Sequence, residues 1–116
     1  MSGRASAVYR VAIEVAPEAE AAWARWMSAE HIPDVLEHSG FLGATRWKDR
    51  ERATDGWARY VVHYRATSVE TIEAYRSSAA AARLRDDYLG RFGTSTRVSR
   101  GVLDEPVFIG PRTPGA

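Results

Sequence analysis

A chain of 116 residues, 45% apolar and 27% charged, is long enough for one domain with a real core and too short for two. A net charge of +1 gives no general electrostatic pull toward nucleic acid or an anionic membrane, and the absence of cysteine excludes disulfides, thiolate metal sites and thiol catalysis. No apolar run approaches the ~18 residues of a membrane span, and the N-terminus lacks the apolar core of a secretory signal, so a cytoplasmic protein with no membrane partner is expected.

Residues 1–7 are small and polar and are expected to fray. Val8 to Val15 alternates, with Tyr9, Val11, Ile13 and Val15 on one face, and predicts a first strand. Pro17, Glu18 and Glu20 then open a helix, the acids favouring its positive end. From Trp23 to Phe41 the chain reads WARWMSAEHIPDVLEHSGF and holds two of the four tryptophans and two of the three histidines. At about 100° per residue, Trp23, Trp26, Met27 and Glu30 share a face that continues through His31, Asp34 and His38. Ile32, Val35 and Leu36 fall on the far side, so the apolar stripe changes direction at Pro33. A proline inside a helix loses a hydrogen bond and crowds the preceding turn, whereas at the first helical position it is tolerated. The pattern predicts one helix ending near Glu30 and a second opening at Pro33. His31 then sits at the joint, beside backbone groups that neither helix satisfies.

Gly40 closes that segment. Residues 40–50 predict a second strand, with Phe41, Gly43, Thr45 and Trp47 opposite Leu42, Ala44, Arg46 and Lys48. A charged turn closed by Asp55-Gly56 leads to a third strand over 57–65, in which Trp57, Arg59, Val61 and His63 oppose Ala58, Tyr60, Val62 and Tyr64. Thr67 and Glu70 fit a capping box. The long helix behind them carries Ile72, Tyr75, Ala79, Ala82 and Leu89 at helical spacing and stops at Phe92-Gly93. Residues 94–103 predict a fourth strand. Residues 105–116, with three prolines and two glycines, read as a tail whose Val107-Phe108-Ile109 can dock on a neighbour.

The order β-α-β-β-α-β predicts an α+β, ferredoxin-like domain over residues 8–104 with a four-stranded antiparallel sheet. Two helices cover only one face of such a sheet. Apolar groups on both faces of the third strand therefore predict that the second face is buried in a symmetric homodimer.

The sequence resembles the dimeric α/β-barrel superfamily and, within it, an uncharacterised bacterial family. The likeness rests on Trp23-x-x-Trp26-Met27, on His31-Ile32-Pro33-Asp34-Val35-Leu36, on Gly40-Phe41, on a tyrosine-containing third strand and on Tyr75. It implies two ferredoxin-like subunits whose sheets form a shared barrel, with a pocket between each sheet and its helices. Members of the superfamily include cofactor-independent monooxygenases of aromatic polyketides, polyketide cyclases, lactone isomerases, haem-degrading enzymes and ligand-sensing domains. Such a likeness implies a pocket and leaves the reaction open.

His31 is the leading candidate for chemistry, because an imidazole of near-neutral pKa can move a proton or hold a carbonyl oxygen. Asp34, three residues on, is placed to orient it; alternatively both residues serve the helix break as caps. His63, mid-strand, faces either the barrel or a dimer contact and is a candidate for the site, with a structural histidine as the competing role. Trp23, Trp26, Tyr9, Tyr60, Tyr64 and Tyr75 are candidates to hold a flat apolar molecule, with packed core as the competing role. Arg46 and Arg97 are candidates to grip a carboxylate or phenolate in two-pronged fashion, with surface or interface pairing as the competing role. Glu30, His31, Asp34 and His38 supply metal-type ligands, yet Pro33 spoils their geometry and no His-x-x-x-His pair supports them, so no metal and no cofactor is expected. The third strand reads WARYVVHY without the glycines of an RNA-recognition signature, and nucleic acid is not an expected partner.

Two readings follow. The first is a small cofactor-independent enzyme acting on an apolar, aromatic or polyketide-like molecule. His31 would transfer the proton, in cyclisation, isomerisation or substrate-assisted oxygenation. The second is a non-catalytic ligand-binding or assembly protein in which the tryptophans build core and dimer contacts.

Overall fold

Alternation builds the sheet. Along the strand Ala58–Ala66 every second residue, from Ala58 through Tyr60, Val62 and Tyr64 to Ala66, is buried, while Arg59, Val61, His63 and Arg65 between them are not. The computed structural model describes residues 4–113. Residues 1–3 of the expected frayed start and 114–116 of the tail lie outside the described residues.

The elements are β1 (Ala7–Val15), a 3₁₀ turn (Pro17–Ala19), α1 (Glu20–Trp26), a π turn (Met27–His31) and α2 (Ile32–Val35), followed by β2 (Phe41–Lys48), β3 (Ala58–Ala66), α3 (Val69–Arg76), α4 (Ala79–Phe92) and β4 (Thr96–Asp104). The strands lie in the order β2-β3-β1-β4, each pair antiparallel, with Tyr9 opposite both Tyr64 and Val102. This is the ferredoxin-like α+β fold. All helices cover one face, where Tyr9, Ile13 and Val15 meet Trp23, Met27, Val35 and Ile72 in one core. No helix among the described residues is long and apolar enough to cross a membrane.

The opposite face mixes Val8, Ala12 and Val61 with Arg10, Glu14 and Arg59, and leaves Trp47 58% and Leu103 46% exposed. At one end of it Arg97 bridges Glu14 and Asp55 at 2.8 and 2.9 Å while its guanidinium covers the Trp57 ring.

Three local features differ from the sequence pattern, each for a physical reason. Phe41 does not share a face with Gly43, Thr45 and Trp47. A bulge between Phe41 and Gly43 flips the alternation, so Phe41 packs on Tyr64 and Tyr75 under the helices. Gly43 suits that bulge: its φ is 155°, and a Cβ there would meet the Arg65 guanidinium.

The cap of α3 is Ser68, not Thr67, and its hydroxyl accepts from Thr71 N–H. Thr67 is still tied to the strands, donating its N–H to the Gly40 carbonyl and accepting at its own carbonyl from Ser6.

The long helix is two. It breaks at Ser77 and Ser78, and Ser78 caps α4 by accepting from Ala81 N–H. The break resets the helical phase. Ala81, Leu84, Tyr88 and Phe92 turn inward, whereas Ala79, Ala82 and Leu89 are exposed.

Candidate functional site

The site begins with a proline that has no N–H to give. In an α-helix Pro33 would leave the Ala29 carbonyl without its partner and press its ring against that turn. The chain does not stop, contrary to the pattern of two helices with a joint; it widens. Ile32 N–H reaches back five residues to the Met27 carbonyl, and Met27–His31 forms one π turn within an otherwise continuous helical path, His31 included at φ −65° and ψ −51°. Such a turn amounts to one inserted residue and often marks a functional site. It shifts the phase of everything after it. Met27, His31 and Val35 therefore face the same way, while Asp34, expected beside His31, is exposed.

What they face is a cavity of about 310 Å³ between the sheet and the helices. Its floor is the helix side of the sheet, with Tyr9, Val11 and Ile13 from β1, Tyr64 from β3 and Arg100 from β4. Its other wall is Tyr75 and Arg76 at the end of α3 and Leu84, Arg85 and Tyr88 on α4.

His31 is half-buried between Trp26 and Tyr88, with ring centroids 5.0 and 5.5 Å away. Its Nδ1 is buried and has no hydrogen-bond partner among the described residues. Burial pushes the imidazole below the ordinary histidine pKa, Arg100 adds to that, and the fields of Asp34 and Asp87 oppose it. The neutral ring is thus the prevailing form at neutral pH, able to take a proton.

Tyr9, Tyr64 and Tyr75 cluster with centroids 5.9 and 6.1 Å from the Tyr9 ring. Hydroxyl hydrogen bonds within the chain are made by Tyr60 and Tyr88; those of Tyr9, Tyr64 and Tyr75 make none among the described residues. Burial pushes the Tyr75 phenol up to about 12 and that of Tyr64 higher still, so both stay protonated donors at neutral pH.

The other residues singled out by sequence are placed elsewhere. Trp23 is fully buried and does not line the cavity. Its Nε1 donates to the Tyr88 hydroxyl at 3.1 Å, which donates to Thr96 Oγ1 at 2.9 Å, which donates in turn to the Phe92 carbonyl at 2.7 Å. That chain fixes the ring on which His31 rests. Trp26 backs His31 from behind. Tyr60 donates to Glu20 at 2.8 Å, and Glu20 also pairs with Lys48 and Arg52. Arg46 is not free for a ligand: it donates to the Ala24 carbonyl and to Ser28 Oγ, clamping β2 to the π turn. Arg97 and His63 lie on the opposite sheet face, Arg97 held by two carboxylates and His63 across the ladder from Arg10. Among the described residues no group of three histidine, aspartate or glutamate side chains converges to hold a metal, and His38 packs instead on Phe41 and Tyr75.

Sequence reasoning missed Arg76, Arg85, Arg100 and Tyr88. The one signal for Arg100 was strand parity, since it follows Thr96 and Val98 on the helix-facing side of β4. Arg85 and Tyr88 were hidden by the unrecognised break at Ser77–Ser78.

The chain belongs to the family described as Domain of unknown function (DUF4286), which matches residues 6–106. Its fold is shared by a Bacillus cereus protein that carries the provisional name antibiotic biosynthesis monooxygenase, with a TM-score of 0.67 at 14% identity over 93% of this chain and 100% of that one. A Nitrosomonas europaea protein with the same provisional name matches at 0.60 and 12% identity, over 84% and 95% of the two chains. An ethd family protein from Bacillus halodurans matches at 0.62 and 13%, over 82% and 96%. These TM-scores establish a common fold. No curated protein matches the chain.

Proposed function

We propose that the cavity binds a small, largely apolar aromatic molecule and that His31 moves a proton on it. The observation that carries the reading is a buried, unpartnered imidazole nitrogen at the wall of a cavity lined by tyrosines. A neutral imidazole takes a proton from an acidic carbon or phenol of the ligand, and donors nearby stabilise the enolate-like anion that results. Returning the proton elsewhere gives isomerisation or cyclisation; reaction of the anion with oxygen gives substrate-assisted oxygenation. The provisional monooxygenase names of the Bacillus cereus and Nitrosomonas europaea proteins support a small-molecule role of this kind. A symmetric homodimer, with sheet faces packed together, completes the reading and is supported by the exposed Trp47 and Leu103.

The second reading, ligand capture without turnover, is supported by one specific feature. Asp34 does not orient His31, so the imidazole lacks the hydrogen-bonded partner that holds many catalytic histidines in one tautomer. Aromatic ketones and phenols that raise the unfolding temperature of the chain identify binders, and turnover of those binders is then followed in wild type and His31→Gln. Loss of turnover by about 10²–10⁴ with affinity retained supports the enzyme. Absence of turnover in wild type, with binding that weakens in the variant, supports capture.

A further inference from the structure

We infer that the molecule taken by this cavity is an aromatic carboxylic acid, bound as its anion with the carboxylate held by Arg76, Arg85 and Arg100. The inference rests on the small-molecule reading above and narrows its substrate class. Three arginines from three separate elements, the end of α3, the middle of α4 and β4, reach the same cavity, and no aspartate or glutamate lines it. None of the three forms a salt bridge among the described residues, whereas Arg52, Arg59, Arg91 and Arg97 all pair with carboxylates elsewhere.

The nearest acids do not neutralise this wall. Asp87 is already paired with Arg91 at 3.0 Å and Asp34 is turned to solvent. The charge of Arg100 is felt inside, where it disfavours protonation of His31 and pulls against the upward push on Tyr64, Tyr75 and Tyr88. Three guanidiniums around a cavity otherwise lined by aliphatic and aromatic groups focus positive potential into it and select an anion. Guanidinium forks fit a carboxylate two oxygens at a time. The rest of the ligand must be flat, apolar and short. The cavity, at about 310 Å³, is at the small end of ligand pockets, suited to one or two rings lying against tyrosine faces.

The experiment is calorimetric titration of the full chain with 2-naphthoate, with its methyl ester and with 2-naphthyl phosphate, in wild type and in Arg76→Met, Arg85→Met and Arg100→Met. The three side chains are exposed at the cavity rim, so the variants keep the fold, and unchanged unfolding temperatures verify it. Expected is that the acid binds at least about tenfold more tightly than the ester, less tightly as salt rises, and about tenfold less tightly in each variant, with ester binding unmoved. An ester bound as well as the acid overturns the anion and leaves the pocket reading standing. Tighter binding of the phosphate overturns the carboxylate, and variants that bind the acid normally overturn the arginines. If no probe binds the folded wild-type chain, this inference and the pocket reading fall together.

Discussion

Trp26 lays its indole against the His31 imidazole, centroids 5.0 Å apart, and neither Trp26 Nε1 nor His31 Nδ1 has a hydrogen-bond partner among the described residues. Two buried polar nitrogens side by side are expensive, each by about 1–3 kcal/mol, and stacking recovers only part of that. Folded chains tolerate such a cost where the groups serve a ligand.

Because burial lowers the His31 pKa, protonation favours the unfolded chain. The stabilising contribution is fully present above the ordinary value of 6.5 and is lost as pH falls below it through the lower folded-state value. His63 is shifted the same way by burial and by Arg10, so wild type alone does not separate the two. Urea unfolding of wild type and His31→Gln across that range is expected to show a shallower loss in the variant. Parallel curves would remove His31 from the account.

Glu20 titrates in the opposite window. Hydrogen bonds from Lys48 first, then Tyr60, hold its carboxyl at about 2 against an ordinary 4.5. A depressed carboxylate stabilises the fold above 4.5, and that stability is lost as pH drops toward 2. Glu20→Gln is expected to lower stability at neutral pH and to flatten the acid limb, measured by thermal unfolding against pH. Solvent around Lys48 and Arg52 keeps the effect modest.

Tyr88→Phe keeps the ring beside His31 and deletes the hydroxyl between Trp23 and Thr96. Trp23 Nε1 is then a buried donor with nothing to meet, at a cost of about 1–3 kcal/mol in unfolding free energy. Thr96 still donates to Phe92, so the strand end holds. A destabilisation below about 0.5 kcal/mol, the usual bound for neutral surface changes, would show that water fills the gap.

If sheet faces pair, wild type sediments at twice the 12.9 kDa chain mass. Trp47→Glu places a charge on that face and is expected to yield folded monomers with unchanged circular dichroism. A monomeric wild type would leave the outward apolar side chains to another use.

The fold was legible because its signals are periodic. Alternation in 8–15 and 57–65 and turn residues at Gly40 and Asp55-Gly56 specify the strands, and the order of elements does the rest. Of the site, His31, Tyr9, Tyr64 and Tyr75 were readable from residue type and parity. Asp34, Arg46, Arg97 and His63, picked out by the same criteria, lie away from it, because charge and aromaticity say nothing about which side of a sheet or which partner wins. Arg46 went to a backbone carbonyl and Arg97 to two acids, contacts between residues 22 to 83 positions apart in no local pattern. Arg85 and Arg100 became visible only once the phases of α4 and β4 were set by neighbours in space.

The π turn at Met27–His31 makes helical pitch a determinant of which side chains face the pocket. The wider turn takes up one extra residue, so deleting solvent-exposed Ala29 is expected to return the segment to ordinary pitch with the imidazole still facing the cavity and every side chain of the cavity wall untouched. Among relatives, a gap of one residue there would mark a change of pitch with the pocket kept.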